Sequence, residues 1–188
     1  MEFQDKVAVV TGAAQGIGKA TCITLAKSGA NIVAIDLLAE KIEETAKEVE
    51  ALGRRAIAIP VDVSSGEAVM TAFSSIMKEF GKIDILVNAA GIDIPCPIVD
   101  TTEAIWDKTM DVNLKGVFLC SKAASQIMME QNSGKIVHVS SVAGKLGEVT
   151  QGAYCCSKAG VSMLTQVMAL ELAQHNIMVN ILLLRRPN

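Results

Sequence analysis

Aromatic residues are scarce: the 188 residues include one tryptophan, one tyrosine and four phenylalanines, 3% of the chain. The core must therefore be aliphatic, and a chain that is 51% hydrophobic at this length suffices for one domain. No apolar run reaches the roughly eighteen residues of a membrane span. The opening MEFQDKVAVV sets Glu2 and Asp5 beside too short an apolar run for a secretory signal. An excess of one charge is also missing: 17 basic and 20 acidic residues, mixed along the chain, leave a net charge of −3. That balance speaks against a nucleic-acid or anionic-membrane surface. The five cysteines (Cys22, Cys96, Cys120, Cys155 and Cys156) contain no CxxC pair, and His138 and His175 lie near no cysteine cluster. No disulfide framework and no metal site are expected, and buried free thiols in a reducing cytoplasm suit the odd count.

What is present is an alternation of short apolar runs with longer amphipathic stretches. Strands are expected at 6–11, 31–36, 55–61, 83–88, 135–140 and 177–184. Helices are expected at 16–28, at 39–52, from a cap at Ser64 to about 80, from a cap at Asp100 to about 131, and at 153–174. Ser64 with Glu67 and Asp100 with Glu103 have the spacing of capping boxes. Runs such as VAVV and IDILV are apolar on both faces, as in a parallel sheet covered by helices on both sides. The expected architecture is a single-domain α/β fold over 1–188, a doubly wound parallel sheet of the Rossmann type.

The first strand–helix junction reads Thr11-Gly12-Ala13-Ala14-Gln15-Gly16-Ile17-Gly18. Glycines at 12, 16 and 18 allow a tight turn and close approach to a pyrophosphate, which the N–H groups and positive dipole end of the following helix would bind. Asp36 ends the second strand, where a carboxylate accepts from both adenosine ribose hydroxyls and repels a 2′-phosphate. Gln15 and Leu37 are uncharged, so no arginine or lysine is expected beside that position, and NAD(H) is preferred over NADP(H). Asp62 and Val63 follow the third strand. There Asp62 either accepts from the adenine amino group while Val63 packs the ring, or is a loop residue before the Ser64 cap. Asn88-Ala89-Ala90-Gly91 ends the fourth strand; the small residues let backbone pass close to a cofactor, and Asn88 either pins neighbouring loops or touches the ligand.

Ser141, Tyr154 and Lys158 carry the chemistry. The tyrosine and lysine are four residues apart, one helical turn, so both share a face. A phenol beside an ammonium has a lowered pKa and serves as a proton donor, and a serine hydroxyl brought close would hold a carbonyl oxygen. This equipment suits reduction of a ketone or oxidation of a secondary alcohol. Cys155, Cys156, Trp106, Met128, Met129 and His138 read as packing residues, and 40–50 as a solvated helix face.

With TGAAQGIG at 11–18, Asp36, Asp62-Val63, NAAG at 88–91, Asn113 in VNLKG, Ser141 in HVSSVAG and Tyr154/Lys158 in YCCSK, the chain resembles the short-chain dehydrogenase/reductase family over about 5–180. The resemblance implies Tyr154 as proton donor or base and Lys158 on the nicotinamide ribose. It implies Ser141, rather than Ser140, on the substrate oxygen. Asn113 would kink its helix and hold a water linking Lys158 to solvent. It also implies a cofactor site drawn from Gly12, Gln15, Gly16, Ile17, Gly18, Asp36, Asp62, Val63, Asn88, Ala89, Gly91, Tyr154 and Lys158. The implied activity is NAD(H)-dependent interconversion of a secondary alcohol and a ketone. The implied partners are a small-molecule substrate and a homodimer or homotetramer built on the helices at 100–131 and 153–174.

Family members usually continue past the sixth strand with a Pro-Gly turn, a substrate-covering segment, a helix and a seventh strand. Here Ile181-Leu182-Leu183-Leu184 leads to Arg185-Arg186-Pro187-Asn188 instead. The expectation is a sheet without its usual last strand, with an apolar edge and a weakened substrate wall. The second functional reading is a shortened form that binds NAD(H) or assembles without turning over.

Overall fold

The computed structural model describes residues 2–185, so the Pro187 position lies outside the described residues. Six parallel strands form one sheet in the order β3-β2-β1-β4-β5-β6: β1 (Val7–Thr11), β2 (Asn31–Asp36), β3 (Ala56–Pro60), β4 (Ile85–Asn88), β5 (Gly134–Ser141) and β6 (Ile177–Leu184). The order reverses between β1 and β4, so from their paired carboxyl ends the chain leaves toward opposite faces of the sheet, and the crevice there is the place where ligands bind in such sheets. β1 and β2 are buried along nearly their whole length because helices cover both faces.

Side-chain alternation splits the core in two. Ala8, Val10, Ile32 and Ala34 pack against α1 (Gly16–Lys27) and α2 (Ala39–Ala51) through Cys22, Ala26, Ile42 and Val49. Val7, Val9, Val33 and Ile35 face the other way, onto α3 (Gly66–Phe80), α5 (Gly116–Gln131) and α6 (Gly152–Leu172). α4 (Glu103–Met110) precedes α5. β6 pairs with β5 over eight register positions and forms the sheet edge among the described residues. Its alternate residues Met178 and Leu182 are about half exposed, on a face without a covering helix.

Three expectations are corrected. Ser65, not Ser64, caps α3: its hydroxyl accepts from Ala68 N–H at 3.3 Å, while the Ser64 hydroxyl donates to Asp62 Oδ1 at 2.6 Å. Thr102, not Asp100, caps α4, accepting from Ile105 N–H at 3.2 Å, and Asp100 closes a single 3₁₀ turn. The expected long helix from 100 to 131 is two helices joined by a π-helical turn, Asp111–Lys115, at whose centre Asn113 sits. Such turns are commonly found at functional sites.

Candidate active site

The crevice is built first by backbone. Gly12 has φ +71°, and a methyl there would lie 2.7 Å from Ala90 N, so only glycine lets the first turn pass under the β4 loop. A methyl on Gly18 would run into the Gly12 carbonyl. Gly16, at φ +55°, has nothing within 4 Å of where its Cβ would stand, leaving open space before the α1 N-terminus. Gln15 precedes α1 without a side-chain cap, so the first N–H groups of α1 are left for a ligand in the crevice. This open, amide-lined cradle fits the pyrophosphate of a dinucleotide.

Beside this cradle lies a cleft of about 330 Å³ lined in part by Gly12, Gln15, Ile17, Gly18, Asp36, Asp62, Val63, Ala89 and Gly91. Asp36 accepts from Ala14 N–H and Leu38 N–H, both at 3.2 Å, through different oxygens, so its carboxylate is fixed while each oxygen keeps a lone pair. Two cations escaped the sequence reading, and Lys108 lines the cleft itself. Lys41, one turn into α2, donates from Nζ to Gln15 Oε1 at 3.3 Å and so brings positive charge to this corner. No spacing to Gly18 or Asp36 signals it; the fold of α2 over the turn does. Asp62 lines the cleft and also closes a turn: Oδ1 accepts from Ser64 N–H at 2.9 Å and from the Ser64 hydroxyl, which holds the carboxyl below the usual carboxylate range. Asn88 is 1% exposed and donates from Nδ2 to Ser121 Oγ at 2.9 Å, so it faces the packing against α5 rather than the cleft.

The crevice continues into a second cleft lined by Ile17, Ala89, Gly91, Asp93, Ser140, Ser141, Tyr154, Lys158 and Arg185. Lys158 is buried and donates from Nζ to Val139 O at 3.0 Å; burial pushes its pKa down to about 8. The ammonium lies 5.6 Å from the centre of the Tyr154 ring. Ser140 donates its hydroxyl proton to Lys158 O at 3.1 Å, tying β5 to α6, whereas Ser141 Oγ accepts from Ala143 N–H at 3.1 Å and keeps its proton to donate. Asn113 is fully buried. Its Oδ1 accepts from Ile92 N–H at 2.7 Å, and its Nδ2 donates to Ile92 O at 2.8 Å and to Ser157 Oγ at 3.1 Å. The amide thus staples the loop after β4 to α6. Gly91 is where these parts converge: a methyl there would meet Asn113 Oδ1 at 3.3 Å and Lys158 Nζ at 3.5 Å.

The sequence reading passed over Thr11 and Ser157, although both stand inside the quoted motifs. Thr11 Oγ1 accepts from Ala89 N–H and Ala90 N–H, and Ser157 receives the Asn113 amide. Asp93 enters the site by tertiary placement alone, its Oδ2 accepting from Gln151 Nε2 at 3.1 Å.

The model of the short chain dehydrogenase family matches residues 6–184. The chain belongs to that family. Among short-chain dehydrogenase relatives, 2,3-dihydro-2,3-dihydroxybenzoate dehydrogenase of Bacillus subtilis is 43% identical over 95% of this chain and 69% of its own length. The 3-oxoacyl-[acyl-carrier-protein] reductase FabG of Thermotoga maritima is 39% identical over 96% of this chain and 73% of its own. An NAD+-bound xylitol dehydrogenase superposes with a TM-score of 0.97 at 37% identity, covering 100% of this chain and 74% of that one. The chain is thus an oxidoreductase-family member with a Rossmann-like sheet, and no helix among the described residues is long and apolar enough to cross a membrane.

Proposed function

We propose that the chain interconverts a secondary alcohol and a ketone with NAD(H), Tyr154 exchanging the proton with the substrate oxygen. The observation that carries this reading is the convergence of Ser141, Tyr154 and Lys158 on one cleft that continues directly from the glycine cradle. Bound nicotinamide would supply the hydride acceptor or donor. Ser141 holds the substrate oxygen with its remaining proton. Lys158, titrating near 8, favours the phenolate of Tyr154 when protonated and can return a proton near neutral pH. Asn113 fixes the loop that carries Gly91 and so keeps the cleft floor in place.

NAD(H) is proposed over NADP(H) because Asp36 places a carboxylate at the ribose corner; the NAD+-bound xylitol dehydrogenase supports nicotinamide adenine dinucleotide as the cofactor class. The partners are a small-molecule substrate and further copies of the chain, since the α5 and α6 face exposes Phe118, Met129 and Val167 beside one another. A cytoplasmic location belongs to the same proposal; of the five thiols expected to be buried, only Cys22 and Cys120 are, while Cys96 and Cys155 are partly exposed and Cys156 is exposed.

The test is turnover of NAD+ with a panel of secondary alcohols, beside NADH fluorescence titration. Tyr154→Phe is expected to lower kcat at least about 100-fold while leaving the NADH Kd within a factor of about three. Retained turnover in that variant sinks the mechanism; saturable NADH binding with no turnover in the wild type supports a binding-only form.

A further inference from the structure

Beneath the site runs a buried chain of polar side chains that the chemistry does not use. Asn88 and His138 are register partners on β4 and β5, so their side chains share one face of the sheet. Asn88 Nδ2 donates to Ser121 Oγ on α5 at 2.9 Å, Ser121 Oγ lies 3.0 Å from His138 Nε2, and His138 Nδ1 lies 2.8 Å from Thr165 Oγ1 on α6. All four residues are at most 4% exposed. The chain therefore links the four elements that carry the site: the strand leading to Gly91, the helix after Asn113, the strand leading to Ser141, and the helix carrying Tyr154 and Lys158.

Its proton arrangement follows from donor counting. The Thr165 hydroxyl has one proton, which it donates to Val161 O at 2.7 Å, so toward His138 it accepts. His138 is then protonated on Nδ1, and Nε2 must accept the Ser121 proton. Ser121 in turn accepts from Asn88. Every donor points the same way, and the opposite direction would strip Val161 O of its side-chain donor. Thr165 lies seven residues beyond Lys158, two turns along the same face of α6, and His138 three before Ser141. The His138–Thr165 bond thus sets how α6 sits on β5, as do the Ser140–Lys158 and Lys158–Val139 bonds nearer the cleft.

We propose that His138 is a positioning residue: held as its Nδ1–H tautomer between Ser121 and Thr165, it locks α6 against β5 and so fixes Tyr154 and Lys158 relative to Ser141. The catalytic part of this inference rests on the proposed function. Thr165→Val, close to isosteric, removes the acceptor for Nδ1–H, and Thr165→Ser restores it. Thr165→Val is expected to lower kcat about tenfold with the NADH Kd changed less than about twofold, and Thr165→Ser to recover kcat. Tyr154 is the sole tyrosine, so ultraviolet absorbance titration reads it alone. Its ionisation midpoint is expected to move by about half a pH unit or more in Thr165→Val as Lys158 loosens from Val139 O. Nitrogen-15 NMR of the histidine ring should show Nδ1 protonated and Nε2 bare. A lower Tm with kcat and the Tyr154 midpoint unmoved overturns the positioning role, as does an Nε2–H tautomer. Absent turnover in the wild type counts against the proposed function, and the Tyr154 midpoint then decides the positioning role on its own.

Discussion

At the scale of single residues, the site depends on how few hydrogen-bonding valences are left over. Ser140 and Ser141 are chemically identical neighbours, yet one hydroxyl proton is given to Lys158 O and the other is kept. Asp36 has both oxygens fixed by backbone N–H groups and still has lone pairs for a ribose. Asp36→Asn removes the charge and leaves one acceptor oxygen for the two backbone N–H groups. NADH affinity is expected to fall about tenfold, since a hydrogen bond to a charged group contributes roughly 1.5–3 kcal/mol. The gap between NADH and NADPH should also narrow, because Lys41 then stands near the ribose corner with no carboxylate opposing it. Parallel fluorescence titrations of the two nucleotides check both outcomes; an unchanged NADH/NADPH ratio would remove Asp36 from the specificity argument.

At the scale of elements, the joins between helices and strands are polar where the layers are apolar. The π-helical turn turns Asn113 inward onto Ile92, and β5 is held to α6 through Ser140, Lys158 and His138. Burial pushes His138 down to about 4, against about 6.5 for an exposed imidazole. Between those values the unfolded chain binds the extra proton and the folded chain does not. Stability is therefore full above about pH 6.5 and falls as pH drops toward 4, by roughly 3 kcal/mol at most if only this group titrates. Asp62, held below the carboxylate range by Ser64, responds at lower pH still, and Lys158 responds above about 8, so neither blurs this window. Urea unfolding at pH 7 and pH 4.5 reads the loss, and His138→Gln should flatten it.

At the scale of the whole molecule, the two faces of the sheet are unequal. α3, α5 and α6 cover one, while on the other the core under α1 and α2 extends only as far as Ile85 and Val87 of β4 and Val139 of β5, leaving Met178 and Leu182 of β6 half exposed. On the outer surface of α5 and α6, Phe118 and Val167 are more than 40% exposed and line one groove. Val167→Glu adds a charge there without touching the core. It is expected to shift the chain toward monomer in sedimentation velocity, with the Tm of the dissociated form changed by no more than a few degrees. A wild type that already sediments as a monomer at micromolar concentration would remove this face as an assembly surface.

The alternation of apolar runs and amphipathic stretches by itself determined the six parallel strands, because strands buried on both faces must be apolar throughout and need helical crossovers between them. Glycines at 12, 16 and 18 likewise announced the turn, which a side chain would block at 12 and 18 and strain through positive φ at 16, and Tyr154 with Lys158 announced a shared helical face. What only the tertiary structure decided were choices between near-equals. Ser65 rather than Ser64 caps α3, because Asp62 claims the Ser64 hydroxyl. Asn88 turns to Ser121 rather than to the cleft, and Lys41 reaches Gln15 from another helix. His138, which reads in sequence as one more core residue, becomes the centre of a chain across four elements. Local pattern records which groups are polar; which partner each one meets depends on distances across the fold, and those exist only once the layers have packed.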